Sequence, residues 1–222
     1  MAFDYRNWRG FSLTEMAVVL SIVGLLALGA LQGRSMIDRA TARMLAAELR
    51  NVKTMVAVYR ERFKAVPGDD PRAHHHLSGA LPSTQLQGDG RIGLSPTQTW
   101  VGTPTIIQNE ESGLFWQHVR LAQLADGDPG KGYAYNAVHG RLGISSNRNM
   151  PTRPDGIGGL YRACTSTIEG RLAQLIDIDL DDGDATSGQV WAAQESAHSP
   201  VVSPTAPTAY VKGKTYTVCL AV

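Results

Sequence analysis

Residues 11–31 read FSLTEMAVVLSIVGLLALGAL, an apolar run of 21 residues with one charge, Glu15. As a helix rising 1.5 Å per residue it spans about 30 Å, the thickness of a bilayer core. Residues 1–10, MAFDYRNWRG, carry Arg6 and Arg9 just before it. Their charge favours an amino terminus that stays in the cytoplasm, and Arg34 and Arg39 beyond the run weaken that vote without reversing it. The remainder of the chain then lies outside the cytoplasmic membrane.

Glu15 does not fit a simple anchor, because a carboxylate at membrane depth costs several kcal/mol unless it finds a partner. A cut after Gly10 would give Phe11 a new α-amino group four residues from Glu15. In a bundle of parallel helices Glu15 of one subunit would neutralise the amine of its neighbour. The stretch Arg9-Gly10-Phe11-Ser12-Leu13-Thr14-Glu15 resembles the type IV prepilin cleavage motif at every position. The resemblance implies a membrane-embedded prepilin peptidase that cuts between Gly10 and Phe11 and N-methylates Phe11. It also implies that Glu15 aligns subunits in a filament. An ordinary secretory signal is the competing reading, with Gly29 and Ala30 imitating its small-residue site, but such signals have shorter apolar cores and no internal acid.

Helical periodicity runs on past the apolar segment. Leu45, Leu49, Val52, Val56, Tyr59 and Phe63 recur at steps of four and three, so they share one face. Arg43, Glu48, Arg50, Lys53, Arg60 and Arg62 occupy the opposite face. Pro67-Gly68 ends the pattern. One helix of about 55 residues is therefore expected, half in membrane and half packed on a globular domain.

The rest of the chain holds most of the 23 glycines and 11 prolines, so turns and loops are abundant. Residues 67–105 read as a surface-winding connection. A second helix is expected from about Asn109, with Asn109-Glu110-Glu111 as cap and first-turn acids. One or two strands are expected within 132–144, and a third helix over Ser166–Ile176. Residues 209–220 read as a hairpin turning at Lys212-Gly213-Lys214. Cys164 and Cys219 are the two cysteines, and an even count in an exported chain suggests a disulfide, the alternative being two separate buried thiols. Val66-Pro67-Gly68-Asp69-Asp70-Pro71, Gly88-Asp89-Gly90-Arg91-Ile92 and Glu111 with Phe115-Trp116-Gln117-His118-Val119 resemble stretches of bacterial pilin-like proteins, as does the acidic loop from Asp177.

Net charge is +1, so bulk charge does not indicate nucleic acid as a partner. No cofactor is expected. The metal candidate is calcium in the acidic loop at Asp177, Asp179, Asp181, Asp182 and Asp184, where alternating acids offer hard oxygen ligands. An exposed tract, His74-His75-His76, is the weaker candidate for a transition metal. No nucleophile elbow, phosphate loop or zinc-binding His-Glu-x-x-His occurs, so an enzyme is not expected.

The expected fold is α+β and type IV pilin-like: a long N-terminal helix packed on a small antiparallel sheet. Residues 1–10 form the leader and 11–33 the transmembrane or filament-core half of the helix. Residues 34–222 form the periplasmic or extracellular globular domain, including the amphipathic half-helix 34–66. The resemblance implies a structural subunit of a type IV pilus, used for adhesion, motility or DNA uptake. The alternatives are a type II secretion pseudopilin and a membrane-anchored enzyme or binding module. Its partners would be itself and other pilins in a helical filament, prepilin peptidase, a membrane assembly platform, and cytoplasmic membrane lipid before assembly.

Overall fold

The computed structural model describes residues 10–84, 88–93 and 98–222, so leader residues 1–9 lie outside the described residues. Helix α1, Leu13–Phe63, is followed by the short α2, Ala73–His76, and by α3, Glu111–Leu121. Strands β1 (Ala134–Tyr135), β2 (Arg141–Ser145) and β3 (Arg162–Glu169) come next, then α4 (Gly170–Leu180), β4 (Val190–Gln194) and β5 (Thr215–Ala221). The strands form one sheet in the order β1-β2-β3-β5-β4, and every neighbouring pair is antiparallel. The α+β expectation holds: a long N-terminal helix followed by a small antiparallel sheet. By contact the chain divides into two units between Ala40 and Thr41.

In the second unit the alternation of strand side chains builds two cores. Val218 and Leu220 of β5, Ala163 of β3, and Val190 and Ala192 of β4 join a cluster with Leu45, Leu49, Val52 and Val56 of α1 and with Phe115 and Val119 of α3. The intervening residues Cys164, Trp191 and Cys219 point the other way and pack with Trp100. A period of two makes this separation automatic once register is set. Cys164 and Cys219 are direct partners across β3 and β5 and are joined by a disulfide.

Four local expectations are corrected. Residues 67–105 are not a surface connection: Asp69, Asp70, Ala73, Leu77, Ile92 and Trp100 are buried. Trp100 covers the second face of the sheet and donates its indole N–H to Val201 O at 2.8 Å. Asn109 does not cap α3. Its carbonyl accepts from Gln98 Nε2, and the helix begins at Glu111.

The helix expected from Ser166 begins only at Gly170, because Thr165 and Ile168 pair with Val218 and Tyr216 and hold the chain in β3. Glu169 then caps α4, its carboxylate accepting from Arg171 N at 3.0 Å. The C-terminal hairpin is absent because β3 and β4 occupy both edges of β5, leaving no ladder for residues 209–211. The tight turn at Lys212-Gly213 survives, and Tyr216 Oη instead ties back by donating to Ala209 O and accepting from Val211 N. Strand β4, Val-Trp-Ala-Ala-Gln, carried too weak a strand signal to be expected, since two of its five residues are alanine.

Candidate functional site

Two constellations carry the chemistry singled out in the sequence. The first is the start of α1. Gly10, Phe11 and Ser12 precede the helix, and Phe11 is 82% exposed, so the Gly10–Phe11 bond is open to an enzyme. Ser12 Oγ accepts from Glu15 N at 3.2 Å, and Glu15 Oε2 accepts from Ser12 N at 2.8 Å. This reciprocal pair is a capping box, which satisfies two otherwise orphaned N–H groups of the first turn. The Ser-x-x-Glu spacing was visible in the sequence, but Ser12 was not singled out there. Glu15 thus has a partner within its own chain, while its Oε1 makes no hydrogen bond among the described residues.

Beyond this cap the helix surface is apolar all round. Val18, Val19, Leu20, Ile22, Val23, Leu25, Leu26 and Leu28 are all exposed, and none of the most apolar window of α1 is buried. Space is open around Gly24, Gly29 and Gly33, so neighbouring helices can approach closely there. Among the described residues α1 is the one helix long and apolar enough to cross a membrane.

The second constellation joins three stretches that are distant in sequence. Asp69 Oδ1 accepts from Gly88 N and its Oδ2 from Gly90 N, each at 2.7 Å. Glu111 accepts from Gly93 N at 2.8 Å and from Ser83 Oγ at 3.1 Å. Gly68 donates to His118 Nδ1 at 3.0 Å, and His118 Nε2–H donates to Leu81 O at 2.8 Å. Gly68 has φ +93°, and a Cβ there would meet Glu111 O at 2.5 Å, so only glycine fits. The Pro-Gly-Asp turn, the glycine loop and α3 are therefore one latch. Burial pushes Asp69 up to about 6 and Glu111 up to about 7 against the hydrogen bonds they accept. Burial lowers His118, whose two bonds suit the neutral imidazole.

Beside the latch, buried Asp70 accepts from Tyr59 Oη at 2.9 Å and pairs with His76 Nε2 at 2.8 Å. The His74–His76 tract is thus a helical turn, and His76, stacked on Phe63, faces Asp70.

The acidic loop splits. Asp177, Asp181 and Asp182 bring carboxylate oxygens within 4.8 Å of one another. Asp179 turns away to Arg50, with Oδ2 3.2 Å from Nη1, and Asp184 accepts from Thr186 N and Oγ1. Asp177 accepts from Tyr210 Oη and Gly183 N, Asp181 Oδ2 from Gln189 N and Val190 N, and Asp182 from Asp184 N and Ser187 Oγ. Five of the six oxygens thus already accept bonds from the chain. The three acids suit a weakly held hard cation more than one on which the loop depends.

The family model described as the prokaryotic N-terminal methylation motif matches residues 6–31. No curated protein and no solved structure matches the chain. The matched residues include the cap, the exposed Gly10–Phe11 bond and nearly the whole apolar surface described above. This chain carries, over residues 6–31, the N-terminal methylation motif that is the signature of type IV pilins and pseudopilins.

Proposed function

We propose that the chain is a structural subunit of a type IV pilus, cut after Gly10, methylated on Phe11 and assembled through α1. The observation that supports this most is the apolar surface of α1 between Leu13 and Ala30, exposed on all sides. Such a surface needs lipid first and neighbouring helices afterwards. Residues 1–10 act as the leader and 11–33 as membrane anchor and then filament core. Residues 34–222 form the domain outside the cytoplasmic membrane, and the subunit ends in an extracellular or periplasmic filament. On assembly, each newly made amine at Phe11 meets the free Oε1 of a neighbour's Glu15, so a mismatched register leaves a charge unpaired in an apolar core. Prepilin peptidase, an assembly platform and other pilins are the partners this requires.

A pseudopilin of type II secretion needs the same N terminus and is the second reading. Electron microscopy of cells with the chain, without it, and with Glu15→Ala separates the two. A pilus subunit predicts surface filaments that are lost or altered in both mutants. Unchanged surface filaments with secreted proteins retained in the cell would favour the pseudopilin.

A further inference from the structure

A cavity of about 720 Å³ lies between the glycine loop and the segment joining β2 to β3. Arg91, Arg148 and Arg153 line it, together with Asn147, Asn149 and Ser146, and no acidic side chain does. Its other wall is apolar, formed by Met150, Leu160 and Pro204. Arg91 comes from the glycine loop and Arg148 and Arg153 from the β2–β3 connection, so folding brings two distant stretches together here.

The cations here are poorly compensated. Arg153 spends Nη1 on Gly158 O and Gly159 O, while its buried Nε has no hydrogen-bond partner among the described residues. Arg162, whose Nη1 donates to Pro151 O beside the lining residue Met150, leaves Nε and Nη2 buried and unpartnered. Burial, and then Arg153, push the Arg162 guanidinium down to about 9. Burial, and then Arg148, lower Arg153. Like charges pressed together in a partly dehydrated cleft are costly, and an anion among them removes the cost.

We propose that this cavity binds a phosphate group, free or as an ester. A carboxylate presents two oxygens, whereas phosphate presents three or four, which matches three guanidinium groups, one from the glycine loop and two from the β2–β3 connection. In an ester the organic part would lie on Met150, Leu160 and Pro204. With a net charge of only +1, the chain offers little diffuse attraction, so selectivity rests in the cavity.

The test uses the full chain in a neutral detergent at fixed ionic strength, titrated calorimetrically with inorganic phosphate, phenyl phosphate and acetate. The expected result is saturable phosphate binding, weakened about tenfold or more by Arg148→Gln, a substitution at an exposed side chain. Arg43→Gln, on the exposed face of α1, should change it by less than about twofold. Tighter binding of phenyl phosphate assigns an ester, and equal binding assigns the free ion. The proposal is overturned by absence of saturation, by equal loss in Arg43→Gln, or by acetate binding as tightly as phosphate.

Discussion

Between Leu13 and Ala30, α1 leaves Leu20, Leu25 and Leu28 exposed, whereas from Thr41 onward the same helix buries Leu45, Leu49 and Val52 completely. The domain from Thr41 onward also has long-range polar wiring: buried Asp69, Glu111 and His118 each hold backbone groups of other segments. One backbone geometry thus serves two purposes. Where the helix meets a sheet, apolar residues recur on one face and the chain supplies its own cover. Where they occur on all faces, cover has to come from lipid or from other copies. Stability should therefore be a property of the domain, and assembly a property of the exposed half.

The largest effect should come from the disulfide. Replacing both Cys164 and Cys219 with Ser removes a closure over 55 positions, and the chain-entropy argument gives a loss of about 4 kcal/mol in urea unfolding. Next, Leu49→Ala should cost about 2–5 kcal/mol by opening a core cavity. Leu25→Ala should leave domain unfolding within about 0.5 kcal/mol. Equal effects of these two leucine changes would erase the contrast between the regions.

Smaller effects should come from the latch. Each Asp69 oxygen accepts a backbone N–H, so Asp69→Asn turns an amide donor onto a donor and should destabilise by about 1–3 kcal/mol. Glu111 accepts one N–H and one hydroxyl, and a hydroxyl can reverse its role, so Glu111→Gln should be tolerated. Its effect should appear in the pH dependence. Folding raises the Glu111 pKa to about 7, so its contribution is full below the unfolded value near 4.5 and is lost as pH rises through about 7. His118 acts oppositely: folding lowers its pKa, so stability is lost as pH falls through the unfolded value of about 6.5. Urea midpoints of the wild type should therefore rise between pH 8 and about 6.5. Glu111→Gln should flatten that rise, which amounts to on the order of 1 kcal/mol over this interval.

The smallest effect is calcium. With five of six oxygens of Asp177, Asp181 and Asp182 already accepting bonds, millimolar calcium should raise the melting temperature by less than about 2 °C. A shift of 5 °C or more would make the ion part of the loop.

What was legible in the sequence was what periodicity or a rigid motif controls. The α1 stripe from Leu45 to Tyr59 is buried as spaced, and the Glu111–Leu121 helix lies close to its expected start. The misses share one cause, long-range pairing. Ser166 is strand because β5 pairs beside it, and Thr215–Ala221 is a central strand because β3 and β4 flank it. Asp69 and Asp70 looked like turn residues, and nothing local shows that a glycine loop about 20 positions on donates to Asp69. The meeting of Arg91 with Arg148 and Arg153 is equally nonlocal. In contrast, the Ser12–Glu15 cap is contained within four residues and could have been read directly.

In the proposed function Phe11 is the working N terminus of a chain whose exposed helix serves assembly. Mass spectrometry of the protein from cells that contain prepilin peptidase tests it most directly. The expected product is a mature chain beginning with N-methylated Phe11. An intact chain still carrying Met1 to Gly10 in those cells would contradict it.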